Sequence, residues 1–514
     1  MTAAPGHVRG DKPGALRHWW RVFRCLLRWL PLAVVVGAAL WLRSHDLGRR
    51  PMHADEANQA VKTGELLESG TYAFDPRDHH GPTLYYAAAA LARLRGETNL
   101  ATLTETTVRL VPAIAGTLAV LLTALLGSSL PAADPNRSAR WLALAAAAFT
   151  AVSPPALYYS RYFIQETLLA TFTLAAFVAV RAWWRTGLTR WAVAAGIAAG
   201  LMQATKASAP LFLLLAVVAA GLAGLRPAGR RTTRALAVAG SAALVTAALL
   251  YASFGANPAG LRDALAAYGH ALERFLGPAS APTGHEKPWT YYASLFGWRR
   301  EGGLVWHQAA FSALALAGVG VAWSRREAVP RALSLYALFV AAAFSLFPYK
   351  TPWHAIHAVA PLALLAAVAL GAIARLNTGR PVAVAFALIV TATLFQQAWR
   401  TSFLRPADWR NPWAYVHSSS DVRKVRALAE AARAADPVRP IHVVAEEYWP
   451  LPWYLRGLPA VGYWTTPPAD GEGALIIASQ GLADPVRERL RRPYRESILG
   501  LRPGVLLVVF TPEP

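Results

Sequence analysis

PMHADEANQAVKTGELLESGTYAFDPRDHHGPTLYY, residues Pro51 to Tyr86, lies between two long apolar runs and is dense in groups that such runs exclude. Asp55, Glu56, Asp75 and Asp78 are carboxylates, and His53, His79 and His80 are imidazoles. The stretch reads as a large loop just outside a membrane, with enough acid and histidine for chemistry.

The rest of the chain explains why a membrane is expected. Of 514 residues, 55% are hydrophobic and 16% charged, too apolar for a soluble protein of this length. The apolar residues gather in blocks of about 20, the length that spans a bilayer core as a helix. Eleven spans fit, within 26–43, 107–127, 141–157, 166–182, 191–207, 208–225, 236–254, 305–323, 332–347, 354–373 and 381–397. Backbone groups cannot go unsatisfied in lipid, so each is expected to be a helix. Ala145–Ala148 and Ala194–Gly200 predict close helix–helix approach.

The net charge of +22 raises the question of nucleic acid. The arginines punctuate apolar segments instead of forming one basic face, so a nucleic-acid partner is set aside for the positive-inside pattern. The tail (1–25 and Arg28) and the loops around Arg137, Arg185, Arg230, Arg325 and Arg375 hold twenty basic residues against three acids. The first loop of opposite sidedness, 44–106 with Arg43, holds seven basic residues and nine acids. A cytoplasmic N-terminus and an outward acidic loop follow, in a multi-pass protein of the cell inner membrane. The run Leu30–Leu42 behind the basic tail reads as an uncleaved signal anchor, because RSHDLGRR after it offers no small-residue cleavage site. Cys25 is the only cysteine, which excludes an internal disulfide framework and a thiolate cluster.

Gly81–Leu94 is apolar but too short to cross, and reads as a juxtamembrane helix. A second outer loop is expected at 255–304. After Gln397 the hydropathy falls. NPWAYVHSSSDVRKVRALAEAARAA (411–435) reads as a Ser-capped amphipathic helix, and 441–446, 474–479 and 504–512 as strands. The expected architecture is therefore an α-helical polytopic membrane domain, 26–397, with a small C-terminal α/β extracytoplasmic domain, 398–514.

Candidate chemistry falls on one face. A carboxylate such as Asp55 at a membrane surface suits a general base for a hydroxyl, or is simply a helix N-terminal charge. Asp75, Asp78, His79 and His80 offer ligands for a divalent cation or hydrogen bonds to a substrate; adjacent histidines seldom both ligate one ion. Glu166, in RYFIQE, opens the fourth span and has Arg161 or Lys206 as candidate partners. Lys206 and Lys350 either snorkel or meet a phosphate as point charges, with His354 and His357 just after Lys350.

HADEANQA, GTYAFDPRDHHGPTLYY, SPPALYYSRYFIQETLL and YKTPWHAIHAVAPLALLA together resemble the GT-C superfamily of polyprenyl-phosphate-sugar glycosyltransferases. The most similar branch is the flippase activity-associated one, related to the protein O-mannosyltransferases. NPWAYVHSSSDVR and YWPLPWYLRGLPAVGYW also look like that branch, so the resemblance covers nearly the whole chain. It implies Asp55 as general base with Glu56 completing the acidic pair, and Glu166 as the acid of the next outer turn. Where that branch often has Asn-Asp, this chain has Gln165-Glu166. His53, Asp78, His79, His80, Tyr85, Arg161, Lys206, Lys350, Trp353 and His357 are the expected substrate contacts. The implied reaction moves a sugar, with inversion, from a polyprenyl-phosphate donor to a protein, lipid or glycan acceptor at the outer membrane face. No cofactor is required by this reading, although a divalent cation (Mg or Mn) could assist the leaving phosphate. The alternative is a non-catalytic partner of a lipid-linked-glycan flippase, for which Asp55 would be dispensable. A transporter would need charges near mid-span, and here they gather at span ends.

Overall fold

A computed structural model describes residues 13–77, 80–130, 138–225, 229–276, 285–347 and 349–513. The polypeptide begins with α1 (Pro13–Ser44), followed by α2 (Ala54–Ser69) and α3 (Thr83–Leu94). The long helices then run α4 (Glu105–Gly127), α5 (Ser138–Val152), the short α6 (Pro154–Tyr159), α7 (Glu166–Thr186), α8 (Thr189–Gln203), α9 (Ala209–Leu222) and α10 (Arg230–Tyr251). A second non-apolar stretch holds α11 (Ala259–Leu276), α12 (Tyr291–Phe296) and the hairpin β1 (Trp298–Glu301) and β2 (Leu304–His307). Four more helices complete the bundle: α13 (Ala309–Ser324), α14 (Ala328–Leu346), α15 (Ile356–Ile373) and α16 (Gly379–Trp399).

Every expected span falls on one of these helices, and the protein is a multi-pass membrane protein. Among the described residues six helices are long and apolar enough to cross, and four shorter apolar ones accompany them. Three boundaries differ from the hydropathy reading. The span expected at 141–157 is broken at Ser153, because Pro154 and Pro155 restart the chain as α6. The span expected from 305 begins as strand β2, and the helix starts only at Ala309. The region 44–106 carries two helices, of which α3 is the expected short one and α2 is new.

Small residues let the helices approach closely. A methyl group on Gly196 or Gly200 would strike the Ala239 or Ala243 carbonyl on α10, and one on Gly318 of α13 would strike the Leu365 carbonyl on α15. These are the Ala/Gly-rich contacts that close packing in lipid relies on.

After α16 a one-turn helical bulge, Arg400–Leu404, leads to the C-terminal region. Ser419 caps a short 3-10 turn, and the amphipathic helix α17 (Lys424–Ala435) starts there, later than the 411–435 expectation. The strands are β3 (Ile441–Val444), β4 (Val461–Trp464), β5 (Leu475–Ser479), β6 (Tyr494–Arg502) and β7 (Val505–Pro512), with short helices α18 (Leu451–Leu455) and α19 (Ala483–Arg487) between them. They form one mixed sheet in the order β4-β3-β5-β7-β6. β3 lies parallel between β4 and β5, and β7 is antiparallel to β5 and β6.

One face of the sheet packs Val444, Ile476, Val508 and Phe510 against α19, and the other shares its core with the helices. Ile441, Val443, Trp453 and Leu475 belong to one buried cluster with Met52, Ala57, Leu67 and Tyr85. Met52 N–H donates to Tyr454 Oη at 2.9 Å, Trp453 Nε1 to Glu105 at 3.3 Å, and Arg456 to the Leu103 carbonyl at 3.0 Å. α2 and α3 are thus clamped between the membrane bundle and the sheet.

Candidate active site

The first turn of α2 decides how the acidic pair is used. His53 is its N-cap: the ring Nδ1 accepts from Asp55 N–H at 3.0 Å, and Glu56 reaches back to accept from His53 N–H at 3.2 Å. This is a reciprocal capping box. Successive helical residues point about 100° apart, so fixing Glu56 inward turns Asp55 away from it. Their environments are opposite.

Glu56 is fully buried. It accepts from Arg109 Nε and Nη2 at 2.8 Å each, from Arg50 at 3.1 Å and from Phe163 N–H at 2.9 Å. Burial opposes its ionisation, but Arg109 and Arg50, with those hydrogen bonds, outweigh burial and hold the carboxyl far below the usual carboxylate range. Its lone pairs are used, and it stands in a buried ionic network.

Asp55 is half-exposed, and among the described residues no donor bonds to its carboxylate; His53 Nδ1 is 3.9 Å from Oδ2. Because that Nδ1 accepts from a backbone N–H, the proton of the neutral ring sits on Nε2, which donates to the Tyr415 carbonyl at 3.2 Å. Burial keeps the ring neutral, lowering its pKa against the pull of Asp55 and Glu56. The 3.9 Å approach is therefore not an ion pair, and Asp55 is left with a free acceptor.

The wall facing Asp55 comes from distant segments. Tyr415 Oη is 2.5 Å from His285 Nδ1, and the Asp55 charge acts on both groups. Lys287 Nζ lies 5.9 Å from the Tyr415 ring centre. Trp353 packs edge-on to Tyr415 at 5.8 Å and to Tyr159 at 6.4 Å. Lys350 N–H donates to the His285 carbonyl at 3.0 Å.

One helical turn beyond Asp55, Gln59 Oε1 accepts from Gln165 at 3.1 Å and from the buried Tyr85 hydroxyl. This amide link carries the site across to α7, where Glu166 is buried and ion-paired with Lys206. Lys206 in turn acts electrostatically on His354 and His357, and His80 acts on His354. The His354 ring stacks on Phe344 at 4.4 Å, and His357 packs on Phe212 at 4.3 Å.

The sequence-derived candidates therefore separate into groups. His53 and Trp353 stand with Tyr415 near Asp55, and Lys206, paired with Glu166, acts on His357. Arg161 joins neither: it donates to the carbonyls of Leu42 at 2.8 Å and His45 at 2.6 Å, pinning the end of α1. Tyr85 is a core residue whose hydroxyl serves Gln59. Lys350 is buried with its ammonium on the Phe347 carbonyl at 2.5 Å, and burial lowers its pKa. Asp78 and His79 lie outside the described residues. Among the described residues no three His, Cys, Asp or Glu side chains converge, so no donor set for a Mg or Mn ion is formed there.

Sequence reasoning passed over Gln59, Gln165, His285, Tyr415 and the arginines behind Glu56. Arg109 did carry a signal: it stands inside the apolar run TTVRLVPAI, where an unpaired charge would be costly.

No protein-family model and no curated protein matches the sequence. Solved structures do. ArnT from Cupriavidus metallidurans in the apo state superposes with a TM-score of 0.63 at 17% identity, covering 94% of this chain and 98% of that one. The same protein bound to undecaprenyl phosphate gives 0.61 at 16% identity, over 93% and 97%. The archaeal oligosaccharyltransferase AglB from Archaeoglobus fulgidus, in complex with an inhibitory peptide and a dolichol-phosphate, gives 0.53 at 15% identity, over 82% of this chain and 63% of that one. The fold is that of the GT-C membrane glycosyltransferases.

Proposed function

We propose that this chain is a membrane glycosyltransferase that moves a sugar from a polyprenyl-phosphate donor to an acceptor hydroxyl at the outer membrane face. The observation that carries the reading is the unbonded, half-exposed Asp55 carboxylate. It sits on the polar face of a fold whose similar member, ArnT, binds undecaprenyl phosphate.

The chemistry runs as follows. A lipid-linked sugar cannot leave the bilayer, so its head group must be met at the bundle's end. Asp55 takes the proton of the acceptor hydroxyl as that oxygen attacks the anomeric carbon, and the bond to the phosphate oxygen breaks with inversion. The departing polyprenyl phosphate gains negative charge, which the Lys206 ammonium meets. Glu166, paired with Lys206, holds that ammonium in place. The isoprenoid tail has an apolar neighbour: a narrow crevice between α7, α14 and α15. His357 stands among its lining residues with Leu174, Phe177, Tyr336 and Pro361. The basic loops favour a cytoplasmic N-terminus, which puts α2, α3 and the sheet on the extracytoplasmic side of the inner membrane.

The test uses reconstituted protein, a panel of radiolabelled polyprenyl-phosphate sugars and a membrane extract as acceptor. Wild type is compared with Asp55→Asn after both are shown to be folded. The expected result is transfer from one donor, reduced in the variant by about 10²–10⁴-fold. Undiminished transfer by Asp55→Asn removes Asp55 as base. Absence of transfer from any donor, with donor binding equal in both proteins, favours a flippase partner.

A further inference from the structure

The arginines behind Glu56 continue to a second surface, away from Asp55. Four buried guanidinium groups, Arg43, Arg50, Arg109 and Arg161, stand near this end of the bundle. Glu56 answers Arg50 and Arg109. Arg43 and Arg161 donate to backbone carbonyls, and Arg161 also lies over the Phe403 ring at 4.4 Å. Burial and the charges of Arg50 and Arg109 pull Arg161 down to about 9, with the half-exposed Asp46 acting the other way. Buried charge without a counter-charge is costly.

A shallow pocket, open to solvent at its mouth, is cut into this cluster. It is lined by Asp46, Arg49, Arg50, Arg161, Ser402 and Phe403, with Leu47 and Pro406 at its edge. Two of its buried polar atoms, Arg50 Nε and Ser402 Oγ, have no hydrogen-bond partner. Both belong to residues more than nine-tenths buried. The pocket sits where α1 ends and where the chain leaves α16, at the edge of the apolar bundle. Interfacial aromatics surround it: Trp399 stacks on Phe403 at 4.4 Å, and the half-exposed Trp41 stacks on His45 at 4.8 Å.

We infer that this pocket binds a phosphate group, with Arg49, Arg50 and Ser402 as donors and Arg161 as a fixed charge beneath it. A phosphate supplies the acceptor oxygens that Arg50 Nε and Ser402 Oγ lack, and adds negative charge beside three arginines and one aspartate. The position at the bundle's edge fits the head group of an anionic phospholipid; free phosphate has the same chemistry.

The experiment compares full-length wild type with Arg49→Ala/Ser402→Ala. Arg49 is largely exposed, with only a 3.8 Å contact to Asp46, so the double variant keeps the ionic network around Glu56. Lipid retention by native mass spectrometry is measured from nanodiscs of phosphatidylcholine alone and with phosphatidylglycerol. Thermal midpoints in detergent are measured with and without inorganic phosphate. Preferential retention of phosphatidylglycerol, reduced roughly fivefold in the variant, identifies a lipid head group. Stabilisation by inorganic phosphate, lost in the variant, with no lipid preference, identifies free phosphate. Equal retention of both lipids with no phosphate effect overturns the site, as does a phosphatidylglycerol preference or phosphate effect that the variant leaves unchanged.

Discussion

Asp55 and Glu56 share a peptide bond but belong to two different regions of the molecule. Inward from α2 lies a closed region in which Glu56 is met by two arginines and a backbone N–H. Outward lies an open region in which Asp55 stands near Tyr415 and His285, with no donor bonded to its own carboxylate among the described residues. The contrast separates a carboxylate held in an ionic network from one whose acceptors are free among the described residues. The same chemical group has its hydrogen bonding and its accessibility set by what the tertiary structure brings to it.

Breaking the closed region has the largest expected effect. Glu56→Gln leaves Arg50 and Arg109 without their counter-charge and costs about 3–5 kcal/mol; a collapse in folded yield and thermal midpoint in detergent checks it. Asp55→Asn sharpens the comparison from the other side. It leaves the thermal midpoint near wild type while transfer falls by about 10²–10⁴-fold, and an equal loss of stability in both variants erases the distinction.

Within the open region, Lys206→Met strands the buried Glu166, whereas Lys206→Met/Glu166→Gln removes both charges. The double variant recovers stability relative to the single one by about 1–3 kcal/mol, since neighbouring charges do not add independently. It does not recover donor binding, because the phosphate has lost its ammonium. Recovery of both would make the pair purely structural.

The smallest effect is on pH. His53 and His417 are buried, and burial lowers the pKa of both below the ordinary value of 6.5. Below that value the unfolded chain takes up protons that the folded chain refuses, so stability declines as pH falls from 7 to 5. His417→Gln flattens the decline. A thermal midpoint unchanged between those pH values in the wild type contradicts it.

Much of the membrane domain was legible because lipid imposes a rule with few exceptions: an apolar run must be a helix. The same rule made the short α3 recognisable by its length. α2 was not legible, since ADEANQAVKTGELLES carries a mixed surface whose buried side, Ala57, Ala60, Gly64 and Leu67, is mostly small. Those residues pack because the sheet arrives to cover them. β4 and β6 escaped for a related reason: VGYW is short and contains glycine, and YRESILGLR mixes charge into a strand at the sheet edge. At the site, the sequence singled out two adjacent acids but could not rank their roles. Arg109 lies 53 residues from Glu56 and Phe163 lies 107, so the ranking belongs to tertiary contacts that spacing does not encode.

The clamp from Tyr454 onto Met52 has a consequence in time. The two residues are 402 positions apart, and a chain grows at about 5–20 residues per second. Roughly 20–80 seconds therefore pass between the synthesis of α2 and that of the residue that locks its first turn. During that interval the membrane helices can be inserted while Asp55 lacks both Tyr415 and the sheet behind it. The helices around Asp55 are thus made first, and Tyr415 and the sheet join them only when the last fifth of the chain is made.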